Sequence, residues 1–310
     1  MATQIQSSTL VHTRKRNIKR HSSFVQKSVQ YGFRILGSIS PKITGKLGAE
    51  LWFSPRRYIP TPSEQIFLDN AEEKFYFTVK GKRVVIYAWG YGPSVLLMHG
   101  WGGRAGQMAQ FVKPLLEKGF SVVCFDAPAH GNSDGEQTNI IEMGEIIEFI
   151  AEREQGLHAV IAHSFGAMAA SHAFKKGVNL EQAVFISPAV SVQFMMDLFR
   201  KQLGAEDAVL PFLKKAIESK FPFFGPEFWH DFDLDNNAAD FTFPGLIISD
   251  SHDVYVPASQ LHSLSEKWEG AKVHTTHGLG HHKILKMDEV TEKAVGYLNL
   301  PTRLERAHNH

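Results

Sequence analysis

The stretch that decides the fold is Ala159-Val160-Ile161-Ala162-His163-Ser164-Phe165-Gly166. A short apolar run, residues 159–162, passes without a spacer into a pattern of helical period over residues 165–175. A continuous apolar run of this length suits a strand buried on both faces, as in a parallel sheet. A serine at a sharp strand-to-helix junction stands exposed at the top of such a sheet. The turn brings together the backbones two residues before and two residues after it, and those positions hold the small residues Ala162 and Gly166. The helix that follows also directs amide N–H groups toward the serine. The competing reading of Ser164 is a buried helix cap.

Outward from this junction the same rhythm repeats. Apolar runs at residues 95–98, 122–125, 183–186 and 246–248, with a shorter one at 272–275, are each bounded by turn residues. Residues 76–79 and 83–87 read as two further strands around a Lys80-Gly81 turn. Helical patterns at 106–117, 140–153, 258–268 and 288–298 fall between or after them. Alternating strands and helices imply an α/β fold, a mostly parallel sheet with right-handed crossovers. One interval breaks the alternation. About sixty residues separate Ile186 from Leu246, too many for an ordinary loop. Ten of the chain's 23 phenylalanines lie between Phe194 and Phe243. This segment reads as an inserted helical cap at about 190–243, over the carboxyl edge of the sheet. Its rings then serve either as the cap's own core or as an apolar pocket lining.

At Ser164 the sequence resembles the α/β-hydrolase family, whose elbow is commonly G-x-S-x-G. Ala162 stands in place of the first glycine and is small enough for the turn. The resemblance implies a chain order of serine, acid, histidine. Its acid is expected at Asp253, within Asp250-Ser251-His252-Asp253-Val254-Tyr255-Val256-Pro257, because the family acid sits in a D-x-x-V-P setting. Asp250 is the second candidate, with a turn residue as its alternative reading. Its base is expected at His281, in His277-Gly278-Leu279-Gly280-His281-His282, a loop whose glycines let the chain fold back. The adjacent His282 remains an alternative. The resemblance assigns the oxyanion hole to His99-Gly100-Trp101-Gly102-Gly103, with the backbone N–H groups of Trp101 and Phe165 as donors. Asp126-Ala127-Pro128-Ala129-His130-Gly131-Asn132-Ser133 resembles the family's D-x-P-G-H-G-x-S loop and is read as structural support. The likeness spans roughly residues 76–298. It leaves out residues 1–70 and most of the insertion.

The domain reading follows: a basic, partly helical N-terminal extension over 1–70, an α/β-hydrolase domain over 71–300 carrying the cap, and a tail over 301–310. The chain of 310 residues has a formal net charge of +1, but that figure hides a split. The first 49 residues hold nine Lys or Arg and no acid, whereas the remainder holds 24 basic and 32 acidic residues, a formal −8. The basic arm fits a solvated extension leading into a packed helix, a mitochondrial transit peptide, or an amphipathic helix on an anionic membrane surface. Nothing resembles a nucleic-acid module. No apolar run reaches the length that spans a bilayer. One cysteine, Cys124, excludes an internal disulfide. A cytoplasmic location is expected, with peripheral membrane association through the N-terminus as an addition.

Two rival motifs overlap these residues. Gly100-Trp101-Gly102-Gly103-Arg104-Ala105 followed by Asp126 imitates a dinucleotide fingerprint, but leaves Ser164, Asp253 and His281 unexplained. His274, His277, His281 and His282 suggest a metal cluster, although Gly278 and Gly280 oppose the helix that would align them. The expected function is therefore a serine hydrolase that cleaves an acyl ester through an acyl-enzyme, with no cofactor and no metal. Thioesterase, amidase, carbon–carbon hydrolase and acyltransferase chemistry use the same machinery. A non-catalytic binding protein of the same fold is a further alternative. The substrate is expected to be a small acyl compound, apolar in character. No substrate-binding residue is singled out.

Overall fold

Each apolar run becomes a strand. The computed structural model describes residues 27–221 and 226–301. Strands β1 (Glu73–Val79) and β2 (Lys82–Trp89) form a hairpin whose turn residues, Lys80 and Gly81, both have positive φ, at 48° and 77°. That geometry matches the right-handed twist of paired strands. The remaining strands are β3 (Ser94–Met98), β4 (Ser121–Asp126), β5 (Ala159–His163), β6 (Gln182–Ile186), β7 (Gly245–Asp250) and β8 (Lys272–Thr276). They form one eight-stranded sheet in the order β1-β2-β4-β3-β5-β6-β7-β8. β2 runs antiparallel to both β1 and β4, and every other pairing from β4 to β8 is parallel. Every residue of β3 to β7 is buried, which is why these strands read as unbroken apolar runs.

The helices are α1 (27–39), α2 (Pro41–Trp52), α3 (Pro62–Asp69), α4 (Ala109–Glu117), α5 (Ile140–Arg153) and α6 (Phe165–Lys175). They continue with α7 (Val192–Leu203), α8 (Leu210–Glu218), α9 (Leu234–Ala238), α10 (Ala258–Lys267), α11 (Gly280–Lys283) and α12 (Asp288–Tyr297). α5 and α6 have the bounds read from the sequence. α3 was not foreseen, although its start carries a full capping box. The Thr61 hydroxyl accepts from Glu64 N, the Glu64 carboxylate accepts from Thr61 N, and Pro62 fills the first helical position. Among the described residues no helix is long and apolar enough to cross a membrane.

The described chain divides into two compact units. One holds residues 53–193 and 226–301, and with them the whole sheet. The other joins residues 27–52 to residues 194–221 of the insertion. In this second unit α2 packs on α8 so closely that a Cβ on Gly45 would lie 2.6 Å from the Phe212 backbone. The Trp52 and Phe199 rings meet edge-on at 5.3 Å. Residues 27–52 thus form two helices, the second of them packed on α8, while the rest of the basic extension expected from the sequence, residues 1–26, lies outside the described residues. Two phenylalanines at the end of the insertion take a different course. Phe241 and Phe243 stack on each other and pack with Phe174 and Trp268, inside the sheet-containing unit. Trp268 fits there because residue 245 is glycine, where a Cβ would fall 2.0 Å from the indole.

Candidate active site

β5 ends at His163 and α6 begins at Phe165, so Ser164 alone makes the turn, at φ 53° and ψ −122°. An L-residue rarely holds such a conformation, and it costs of order 1–3 kcal/mol. Bonds on both sides hold it: Ser164 N donates to Ile186 O at 3.0 Å, and Ser164 O accepts from Ala167 N and Ala189 N, each at 3.1 Å. The close approaches are as the turn requires. A Cβ on Gly166 would lie 2.6 Å from His99 O, and one on Gly100 would lie 2.9 Å from Ser164 Cβ.

His281 comes to this turn from α11, one helical turn beyond β8. Its Nε2 lies 2.8 Å from Ser164 Oγ, and its Nδ1 lies 2.7 Å from Asp253 Oδ2. Asp253 is buried, and its other oxygen accepts from the N–H groups of Tyr255 at 2.8 Å and Val256 at 2.9 Å. Burial pushes the Asp253 carboxyl up, but the His281 hydrogen bond and charge, with the two N–H groups, outweigh it and hold the carboxyl below its ordinary value. An ionised Asp253 can only accept, so Nδ1 of His281 carries the hydrogen. Nε2 is then free to accept from the Ser164 hydroxyl.

The second acid candidate is occupied elsewhere. Asp250 accepts four hydrogen bonds, from His252 N at 2.9 Å, Thr276 Oγ1 at 2.8 Å, Leu279 N at 3.0 Å and Gly280 N at 2.9 Å. Burial raises its carboxyl, but the N–H groups of Gly280, Leu279 and His252 and the Thr276 hydroxyl bring it down to about 2. Asp250 thus clamps the turn that carries His281. His282 is not bonded to Ser164; its ring lies edge-on to His281 at 5.1 Å.

Trp101 follows Gly100, which packs against Ser164, and Phe165 follows Ser164 itself; their two rings meet edge-to-face at 5.1 Å. Among the described residues neither backbone N–H has a partner. Three histidines not singled out from sequence support this region. His130 accepts from Gly102 N through Nε2 at 2.8 Å and donates through Nδ1 to Pro128 O at 2.9 Å. His99 accepts from Ala127 N at 3.1 Å and donates to Gly100 O at 2.8 Å. His163 donates from Nε2 to the backbone oxygen of His281 at 2.9 Å. Burial first of all lowers all three, His130 to about 3 and His163 well below the ordinary value, so each stays neutral in one tautomer. The signals were legible: two of these histidines lie inside quoted loops and the third directly precedes the serine. Asp126, the acid of the rival dinucleotide reading, accepts from Ala105 N at 2.7 Å and Asn132 N at 2.9 Å, so the loop it heads is bound to its neighbour. Among the described residues no three His, Cys, Asp or Glu side chains are grouped to hold a metal ion. His277 of the rival cluster is bonded to Ser251 Oγ at 2.9 Å.

Comparison with known proteins gives a consistent result. The esterase Pf2001 of Pyrococcus furiosus superposes with a TM-score of 0.58 at 18% identity, covering 78% of this chain and 94% of that one. Est1E of Butyrivibrio proteoclasticus, solved with ferulic acid, gives 0.56 at 17% identity over 72% of this chain and 98% of its own. At such identities the likeness is one of fold. In sequence, the pimeloyl-[acyl-carrier protein] methyl ester esterase of Pseudoalteromonas atlantica is 28% identical over 105 residues, 34% of this chain. The match spans only 40% of that relative's length. Residues 95–293, well over half the chain, match the alpha/beta hydrolase family as a whole. With its eight-stranded, mostly parallel sheet and its serine elbow, the chain belongs to the alpha/beta hydrolase family.

Proposed function

We propose that this protein is a serine hydrolase that cleaves acyl esters. The carrying observation is the pair of hydrogen bonds that link Ser164 Oγ to His281 and His281 to Asp253. In this reading Ser164 Oγ attacks the acyl carbon while Nε2 of His281 takes its proton. Asp253 keeps the imidazole in the required tautomer and stabilises the imidazolium. The N–H groups of Trp101 and Phe165 receive the developing oxyanion, a contribution worth about 10²–10³ in rate per donor in related chemistry. The tetrahedral species collapses, the carbon–oxygen bond breaks, and the alcohol leaves with the proton from His281. Water then attacks the acyl-enzyme along the same path and frees the acid and Ser164.

The neighbouring Trp101 and Phe165 rings favour an apolar acyl or alcohol group, since such sites are mostly apolar with few polar groups. The methyl ester esterase relative supports ester over amide as the first substrate class. No cofactor enters the mechanism, and a cytoplasmic location suits a chain whose one cysteine, Cys124, is buried and free.

The test is a panel of p-nitrophenyl esters and matched thioesters of graded chain length, with Ser164→Ala as control. Turnover should be greatest on oxyesters, and the variant should lose at least about 10⁴-fold, as removal of a triad member does. Residual full activity in Ser164→Ala overturns the assignment. A thioester preference keeps the machinery and changes the substrate class.

A further inference from the structure

The unit that contains α1 and α2 presents an apolar stripe that its own core does not use. Tyr31, Ile35 and Ile39 of α1 and Ile43, Leu47 and Leu51 of α2 recur at intervals of four and are 41% to 75% exposed. On each helix the three lie within about 80° of arc at 100° per residue. The opposite faces are the ones that pack: Gly37 of α1, and Thr44, Gly45, Gly48 and Ala49 of α2, are buried. The junction does not interrupt the run. Ser40 N donates to Leu36 O at 2.8 Å and Thr44 N to Ser40 O at 3.1 Å, and Pro41 needs no acceptor. Single exposed apolar residues are ordinary, but six on two consecutive helices form a surface that requires an explanation.

The charges beside the stripe indicate the partner. Lys27 and Arg34 flank it on α1, and Lys42 and Lys46 flank it on α2, all exposed. Five more basic residues, Arg14, Lys15, Arg16, Lys19 and Arg20, precede it in the sequence, and no acid occurs before Glu50. Glu50 itself is bound to Lys220 Nζ at 2.8 Å. Arg34 approaches Glu206 only to 3.8 Å, with both side chains well exposed. A surface that combines an apolar face, a cationic border and almost no free anion complements a bilayer carrying anionic headgroups. A protein partner of ordinary composition would not call for such one-sided charge over 49 residues.

We infer that α1 and α2 form a peripheral docking surface for anionic membranes, with Ile39, Ile43 and Leu47 entering the headgroup–acyl boundary and the flanking Lys and Arg contacting lipid phosphates. The inference is independent of the proposed esterase reaction.

The test is co-sedimentation of the full chain with vesicles of phosphatidylcholine alone or with 30 mol% phosphatidylglycerol, at low and high salt. Binding should require the anionic lipid and weaken as salt rises. Ile43→Asp with Leu47→Asp should reduce binding at least tenfold. Lys42→Gln with Lys46→Gln, changes at exposed positions that leave the packed face untouched, should also reduce it. Circular dichroism melts confirm that each variant is folded. Equal sedimentation with and without phosphatidylglycerol, or unchanged binding by both variants, overturns the inference. So does a dimer that Ile43→Asp with Leu47→Asp dissolves, which gives the face to a second copy. Binding that arises only after residues 1–26 are removed gives the face to that segment and likewise overturns it.

Discussion

His163 Nε2 and the backbone oxygen of His281 lie 2.9 Å apart, so the residue before Ser164 holds the residue proposed as its base. The bond is indifferent to pH over the working range, because burial keeps His163 neutral well below its ordinary value. His163→Ala frees the α11 turn without touching any reacting atom. The expected outcome is a kcat about ten- to a hundredfold lower with KM little changed, since small misplacements of a base are costly. His163→Gln, whose amide can still donate, should recover part of the loss. Equal kcat in wild type and His163→Ala rejects this positioning role.

The two aspartates of the 250–253 loop should separate cleanly. Asp253→Asn places a donor against His281 Nδ1 and forces the wrong tautomer, so kcat is expected to fall about 10⁴-fold with stability nearly kept. Asp250→Asn instead turns an amide donor toward Thr276 and Leu279, and should destabilise the fold by about 2 kcal/mol. Urea titrations beside initial rates distinguish the two. The Asp250 carboxyl is held near 2 rather than 3.8, so its contribution is complete above pH 3.8 and is lost as pH falls through about 2.

Buried histidines set the acid limit at higher pH. His130, His163 and His172 are lowered chiefly by burial, to about 3, well below the ordinary value, and to about 4. The unfolded chain takes up protons on all three near 6.5 while the folded chain does not, so stability falls as pH drops below 6.5. By pH 5.5 each should have lost about 1.4 kcal/mol relative to pH 8, about 4 kcal/mol together. Urea midpoints at the two pH values measure this. An unchanged midpoint means that these side chains become protonated without unfolding.

The elbow should reveal its strain by substitution. Ser164→Gly removes the Cβ at φ 53° and is expected to melt higher than Ser164→Ala, by roughly 2–4 °C for each kcal/mol released. Both should be inactive toward p-nitrophenyl esters. Identical melting temperatures would show that the neighbouring bonds, not the backbone conformation, set the energy of the turn.

How much of this was readable depends on how local the signal was. The central strands were legible because unbroken apolar runs such as Val95–Met98 can hardly be anything else between turn residues, and β1 and β2 were legible from the Lys80-Gly81 turn between them. Ser164, Asp253 and His281 were each legible from a short motif around them. Asp253 was preferred to Asp250 for its D-x-x-V-P setting, but no motif reveals that the N–H groups of Leu279 and Gly280, which arrive from another strand's loop, saturate the Asp250 carboxylate. The partnership of residues 27–52 with 194–221 left no mark in either segment alone, because Gly45 acquires its meaning only against Phe212. The number of phenylalanines left a core and a pocket lining both open. Phe241 and Phe243 pack on Trp268, a contact that composition does not reveal.

Ser164 and His281 are 117 residues apart in the chain. The bonds that shape the elbow, to Ile186, Ala167 and Ala189, are near in sequence and can form early as the polypeptide emerges from the ribosome. Asp253 and His281, proposed as acid and base, come from segments much later in the chain. On the proposed reading, a fragment that stops before Asp253 keeps the residues that shape the turn but lacks both partners of Ser164, so it should not react with a serine-directed probe.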